Sequence, residues 1–462
     1  MKKNEVYEAV MESASPEGFG VCRLDGRAVF VQNALAGERW EILILKVTNT
    51  AVWAKGLKLL EASPHRIPQD CPNPCGGCTL RCSDYEEELR IKREHVENCL
   101  RRIGGLAPHN ADASDDRHPS GDTASSGAGA SHIVSCIHPS SLTERYRNKA
   151  IFAVAEVDGK ACFGFYRPRS HDLIPVSDCL LQSAACVRDA RAVVEFMNEK
   201  GIPAYHEQSG KGNVRHIFRR ESASEAVLSI VAARGFGAHT AALVAWLRDR
   251  CPDLTGIVLN INKTDGNTVL GGDYYTLWGS PTVHQRFCDV DFEVSTPAFL
   301  QVNPLQAEAV YRKVAEYVCP SKRVLDLYCG AGTVSLCLAK AGCEVTGVEI
   351  VPEAIENAKR NAERNGLQAK FICCDSADLC TEERFDAVVV DPPRKGLAES
   401  VVNDLLRLSP EKLVYISCNP ATLARDLKLL TEQGYVLEKT EVFDMFPRTA
   451  HVETVVLLTR NT

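Results

Sequence analysis

The chain has 462 residues, 45% of them hydrophobic and 24% charged, with a net charge of −7. That is the composition of a globular protein too long for one ordinary domain, with no apolar run of the length a membrane span needs. It argues against a uniformly basic nucleic-acid binder, although an acidic protein can still carry a local basic face. Met1-Lys-Lys-Asn-Glu leads quickly into acids and lacks a signal-peptide core, so a cytoplasmic location is expected. Twenty cysteines in such a chain read as reduced thiols plus a metal site, not as a disulfide scaffold.

In chain order, the β-rich runs Ala28-Val-Phe-Val31 and Trp40-Glu-Ile-Leu-Ile-Leu-Lys-Val47 flank a turn at 34–37 and predict a small β-barrel over about 15–62. Within 18–60, six Lys or Arg stand against three Asp or Glu, so this piece is locally basic. Residues 84–102 read as a helix. Residues 106–132 are rich in Ala, Ser, Gly, Asp and Pro and predict a disordered insert. Strand-like runs at 150–154 and 257–261, with a helical run at 185–200, indicate an α+β middle domain. From about 306, a helix precedes strands at 323–327, 344–348, 387–390 and 413–417 in alternation with helices, which predicts a doubly wound parallel sheet. The expected fold is α/β: an N-terminal barrel at 1–62, a middle domain at 63–300, and a Rossmann-like domain at 301–462.

Four motifs in the last third carry the chemistry. Val324-Leu-Asp-Leu leads into Gly330-Ala-Gly332 and a helix beginning near Thr333, the turn in which a backbone approaches a ligand closely. An apolar strand ends in Glu349, 17 residues after Gly332, where a carboxylate can accept from both hydroxyls of a ribose. The fingerprint lacks the third glycine of a dinucleotide site, and Asp326 at the strand end suits the ammonium of a methionine, so S-adenosylmethionine is the expected cofactor. Asp391-Pro-Pro-Arg and Ser417-Cys-Asn-Pro each follow an apolar strand, placing Asp391 and Cys418 at the carboxyl edge of the sheet, where ligands bind. Glu453 opens a final apolar strand and can reach the same cleft.

Asp391-Pro-Pro-Arg-Lys-Gly396, Ser417-Cys-Asn-Pro420, His451-Val-Glu-Thr-Val455 and Phe299-Leu-Gln-Val-Asn303 resemble the signature of the RNA uracil-C5 methyltransferase family. The resemblance spans the chain apart from 106–132, and it likens the first 62 residues to the family's TRAM domain, an RNA-binding barrel. It implies that Cys418 adds to C6 of uracil and that Glu453 removes the C5 proton. Gln301, Tyr328, Thr333, Glu349 and Asp391 would contact the cofactor, and Phe299 would stack on an extruded base.

Cys71-Pro-Asn-Pro-Cys75-Gly-Gly-Cys78, with Cys82 nearby, has a spacing that calls for a metal or a cluster in a reducing cytosol, zinc being the simplest occupant. The resemblance instead implies a [4Fe–4S] cluster on Cys71, Cys75, Cys78 and a distant Cys179. The first two cysteines stand closer than is usual in the family, so Cys82 is a rival fourth ligand. The cluster motif favours 23S rRNA as substrate over transfer RNA. No membrane and no obligate protein partner are expected. A cytosine-C5 methyltransferase fits the motifs less well, and a purely RNA-binding protein would not need Cys418 and Glu453.

Overall fold

In the computed structural model the described residues are 1–462 without 72, 108–131, 168–169, 265, 267, 380 and 461–462. The expected insert at 106–132 lies almost wholly outside them.

The N-terminal unit is a six-stranded sheet ordered β1-β5-β6-β4-β3-β2. Its strands are β1 (Val6–Val10), β2 (Ser13–Ala14), β3 (Gly20–Leu24), β4 (Arg27–Gln32), β5 (Arg39–Val47) and β6 (Val52–Glu61). It begins at Val6, earlier than the expected 15. Val29, Val31, Ile42, Ile44 and Val52 alternate inward and form its core. Glu38 is fully buried at its base. Burial pushes that carboxyl up, but bonds from Arg66, the Leu35 amide and Trp40 hold it below its usual range.

Helix α1 (Tyr85–Arg102) follows, capped by the Asp84 carboxylate accepting from the Glu87 amide at 2.8 Å, and then the short β7 (Cys136–His138). The middle sheet runs β10-β9-β8-β11-β12-β13-β14. It comprises β8 (Lys149–Val157), β9 (Lys160–Tyr166), β10 (Leu173–Pro175), β11 (Val214–Glu221), β12 (Ala226–Ala232), β13 (Gly256–Ile261) and β14 (Asp273–Gly279). Helices α2 (Ala184–Lys200) and α3 (Thr240–Arg250) contribute Val193, Phe196, Leu243 and Leu247 to the core that covers one of its faces.

A hairpin, β15 (Thr282–Phe287) and β16 (Val290–Ser295), and α4 (Pro304–Val318) introduce the C-terminal unit. There follow β17 (Arg323–Leu327), α5 (Thr333–Lys340), β18 (Glu344–Glu349), α6 (Pro352–Arg364), β19 (Lys370–Cys373), β20 (Ala387–Val390), α7 (Glu399–Leu408), β21 (Lys412–Ser417), α8 (Pro420–Glu432), β22 (Tyr435–Phe443) and β23 (Glu453–Arg460). The eight-stranded sheet is ordered β19-β18-β17-β20-β21-β23-β22-β7. β17 to β21 are mutually parallel, and β23 enters antiparallel between β21 and β22. The strands nearest its centre are buried on both faces, as the apolar runs Ala387-Val-Val-Val390 and Leu413-Val-Tyr-Ile416 require.

This unit is not confined to 301–462. β7 completes its edge by pairing in parallel with β22. Val96, Cys99, Leu100, Ile133 and Val134 share one core with Leu325, Tyr415 and Leu423, while the β15–β16 hairpin shares another with α4 and α5. The packing therefore crosses the expected boundary at 300. Among the described residues no helix is long and apolar enough to cross a membrane.

Candidate active site

The site is built where β17, β18, β20, β21 and β23 present their ends to one cleft. Two loops make its floor, and they are tied together by the residues of the motifs. Asn419 caps α8 with its side-chain oxygen on the Ala421 amide at 3.1 Å, and donates from Nδ2 to the Arg394 carbonyl at 3.0 Å. Thr422 donates to the same carbonyl, and Arg425 to those of Lys395 and Leu397. Gly396 has φ 76°, and a Cβ there would come within 2.5 Å of the Asp426 carboxylate, so the loop after Asp391 closes onto α8 only with glycine. Asn419 is thus the clamp that sets the Cys418 loop against the Asp391 loop.

Cys418 is half-buried between β21 and α8. Its thiol is pushed up by burial and then by the carboxylates of Glu453 and Asp391, against the opposing charge of Arg394. Glu453, the first residue of β23, is 2% exposed, and its Oε2 has no hydrogen-bond partner among the described residues. Burial and the neighbouring Asp391 raise its carboxyl well above the usual range. Asp391 is itself pushed up to about 7, by burial and by Asp326. A carboxyl oxygen buried beside a thiol without a hydrogen-bond partner calls for a functional explanation. Cys418 lines a cavity of about 190 Å³ with Pro16, His95, Arg394, Asn419 and His451.

The nucleotide side of the cleft lies along β17 and β18. Gly332 has φ 79° and caps α5, and a Cβ there would crowd Ala358 at 3.0 Å. Glu349 ends β18 and accepts from the Gly330 amide at 3.2 Å and the Val351 amide at 2.9 Å. Asp326 is buried, accepts from Ser335, and is pushed up to about 7 chiefly by burial. Tyr328 holds a left-handed φ of 65°, which a bulky side chain adopts only where its surroundings impose it. Thr333 meets the hydroxyl of Tyr311, a buried tyrosine that also feels Asp391 and Glu453. Gln301 is half-buried, with its carbonyl held by Asn148 Nδ2 at 3.1 Å. Phe299, two residues before it, is 69% exposed, an unusual position for a large apolar ring.

Residues 376–461 match the family described as tRNA (Uracil-5-)-methyltransferase, and residues 324–403 match a methyltransferase domain. An uncharacterized RNA methyltransferase of Halalkalibacterium halodurans is 36% identical over 99% of this chain and 98% of its own length. One of Clostridium acetobutylicum is 36% identical over 100% and 98%. This chain belongs to the RNA uracil-C5 methyltransferase family. Among solved structures, the tRNA (uracil-54, C5)-methyltransferase of Pyrococcus abyssi with S-adenosyl-L-homocysteine has a TM-score of 0.77 and 27% identity, covering 98% of this chain and 100% of that one. The catalytic unit therefore has the fold of the S-adenosylmethionine-dependent methyltransferases.

The cysteines named in the amino-terminal motif divide in two. The Cys78 thiol is raised to about 12 by burial and then by Cys179, Cys75 and Cys71, so these four share one neighbourhood. Asn73 bridges it, with Nδ2 3.7 Å from Cys71 Sγ and near the Asp178 carbonyl. Cys82 lies elsewhere, buried against Arg66 and Glu38. The four do not converge as ligands do: among the described residues, no group of three or more His, Cys, Asp or Glu is placed to hold a metal ion. The metal site read from spacing is thus a neighbourhood of thiols and not an assembled coordination shell.

Tyr311, His95 and Pro16 belong to the site and were not found from sequence. Tyr311 is one of several aromatic positions on an amphipathic helix, and Pro16 lies more than 400 residues from Cys418; no local pattern marks either.

Proposed function

We propose that the protein methylates C5 of a specific uridine in 23S rRNA through a covalent Cys418–C6 adduct. The observation that carries this is the convergence of a thiol, Cys418, with a buried and unpartnered carboxylate, Glu453, beside Asp391. C5 of uracil is a weak nucleophile. Addition of the Cys418 thiolate to C6 converts the ring to an enolate whose C5 carries the electron density. S-adenosylmethionine, when bound, supplies the methyl group at that carbon. Glu453 then takes the C5 proton, and the electrons of that C–H bond re-form the C5–C6 double bond as Cys418 leaves. Gln301, Tyr328, Thr333, Glu349 and Asp391 would hold the methyl donor, the glycine turn at 330–332 giving its backbone room. Phe299, exposed and beside Gln301, would stack on the base once it leaves its helix.

RNA carrying 5-fluorouridine at the target is expected to trap a denaturation-stable adduct with the wild-type protein, because the C5 fluorine cannot be removed as a proton. Cys418→Ala is expected to give neither adduct nor methylation. Full activity in Cys418→Ala would overturn the mechanism.

The choice of 23S rRNA rests on the likeness of the cysteine motif to that of the rRNA enzymes. The solved Pyrococcus abyssi enzyme is named for uridine 54 of tRNA, and its likeness along the whole chain favours tRNA as the second reading. Mass mapping of 5-methyluridine in rRNA and tRNA from a strain lacking the gene separates the two. In the same proposal Cys71, Cys75, Cys78 and Cys179, which share a neighbourhood but no coordination shell, would draw together on a [4Fe–4S] cluster, with Cys82 apart. Protein purified without oxygen should then contain iron and sulfide, about four irons per chain. One zinc and no sulfide would refute it. The N-terminal sheet would serve as the TRAM-like RNA-binding element.

A further inference from the structure

We infer that Arg147, Lys149 and Arg220 form a seat for a backbone phosphate of the RNA, next to the nucleotide that Phe299 receives. The inference rests on the uracil methyltransferase reading above and adds a site that this reading does not use.

The observation is a set of cations without a carboxylate partner; Arg147 lies near the Tyr146 hydroxyl and the Cys179 thiol. Strands β8 and β11 pair Lys149 directly opposite Arg220. Directly opposed residues of an antiparallel pair point to the same face, and like charges there repel. Arg220 is 2% exposed, and its Nε and Nη1 have no partner among the described residues. Its Nη2 donates only to backbone carbonyls, those of Thr296 and Ala298. Arg147 joins them two residues before Lys149, and its Nε is also buried and unpartnered. Burial and the charges of Arg220 and Arg147 push the Lys149 ammonium down to about 8, with no carboxylate pulling the other way. Among the described residues none of the three makes a salt bridge.

A structural role would have produced a different arrangement. The same strand shows it: Arg219, on the opposite face of β11, is tied to Asp189, Glu221 and Asp253. One face of β11 compensates its arginine; on the other, Arg220 lies beside Lys149 and Arg147 of the neighbouring segment and keeps its Nε and Nη1 open. A buried uncompensated cation costs several kcal/mol and persists where a ligand supplies the missing charge.

The location names the ligand. Arg220 grips the Ala298 carbonyl at 2.6 Å, one residue before Phe299. Asn148, between Arg147 and Lys149, holds the Gln301 carbonyl with its side chain and the Val302 carbonyl with its amide at 2.9 Å. Arg220 and Asn148 therefore hold the backbone on either side of the exposed Phe299 ring. A nucleotide stacked on that ring carries its anionic phosphate at the same place. Lys149 and Arg147, which are half-buried, would touch it, while Arg220 behind them supplies field. The charge of Arg147 also reaches His451 at the rim of the Cys418 cavity, which sets the seat on the path of the chain toward the nucleophile.

The test uses the full-length protein, a 23S rRNA fragment that the wild-type protein traps through 5-fluorouridine, and S-adenosylhomocysteine. Failure of wild-type trapping on this fragment strikes the 23S rRNA reading, not the seat, and the same measurements then use a tRNA that the protein traps. Given trapping, Lys149→Met and Arg147→Gln should each bind the RNA about tenfold more weakly at low salt. Each should also lower the slope of log K against log salt by about 0.7–0.9, the value for one phosphate contact. Affinity for S-adenosylhomocysteine should not change. Lys149→Glu gives Arg220 an internal partner, so it should raise the Tm of the free protein while weakening RNA binding further. A structural cation would give the reverse, a fall in Tm without a change in salt slope. Unchanged RNA affinity and slope would overturn the proposal. So would weakened S-adenosylhomocysteine binding with RNA binding intact, which would assign the cations to the donor's carboxylate.

Discussion

At the scale of single residues, the site depends on how burial and the neighbouring charges act on Cys418. The thiol is held above its ordinary range by burial and by two carboxylates, so thiolate is the minor form at neutral pH. The rate of adduct formation on 5-fluorouridine RNA should climb with pH, up to about tenfold per unit below the thiol pKa. The sign of each neighbour is testable. Asp391→Asn removes a carboxylate charge and should shift that limb to lower pH. Arg394→Gln removes a stabilising cation and should shift it to higher pH. Glu453→Gln keeps the shape and cannot accept the C5 proton. It should form adduct on ordinary RNA and release it slowly, so that covalent complex accumulates. Turnover of Glu453→Gln at the wild-type rate would place the base elsewhere. Cys418, Asp391 and Glu453 are legible in sequence because each follows or opens an apolar strand. Tyr311 and Pro16 are not, since only tertiary packing brings them to the cleft.

At the scale of elements, α1 is fastened to the catalytic unit by buried charge. Lys92 donates to Glu88 at 2.7 Å and to Asp444 at 2.6 Å, and all three side chains are fully buried. Lys92→Met strands two carboxylates in an apolar setting. It should destabilise the catalytic unit by about 3–5 kcal/mol, measured by urea unfolding; among the described residues the other cation within ion-pair reach of Glu88 is Arg448, at 3.6 Å. Strand legibility followed a simple rule. β20 reads as an unbroken apolar run and β17 as one interrupted by Asp326, and both strands lie at the expected residues. β22 was missed because Glu438, Lys439 and Glu441 interrupt it. A register shift between Leu437 and Lys439 accommodates the first two, and Glu441 is satisfied by His138 and Tyr317. β7, at three residues, carries no periodicity to read.

At the scale of the whole molecule, the N-terminal sheet does not stand apart from the chemistry. Pro16, in the turn between β2 and β3, lines the cavity that holds Cys418, and the Glu38–Arg66 pair ties the sheet to the segment leading into the cysteines. Removing residues 1–62 should weaken RNA binding, flatten its salt dependence and leave S-adenosylhomocysteine binding in place. It should also slow adduct formation at saturating RNA, because one wall of the cavity goes with it. Equal RNA affinity, salt slope and adduct rate in a folded truncation would deny the sheet both roles. The expectation of an RNA-affinity module separate from the reaction came from its local basicity, and composition cannot show which cavity a turn will line.

The junction of β7 with β22 also fixes when the protein can be finished. Tyr85 and Lys92 meet Asp444 across 359 and 352 residues of chain. During synthesis at about 5–20 residues per second, α1 waits on the order of 20–70 seconds after leaving the ribosome for the strand that neutralises and covers it. For that interval a nascent chain displays Val96, Leu100 and a lysine destined for burial, and only the last stretch to be translated withdraws them from solvent.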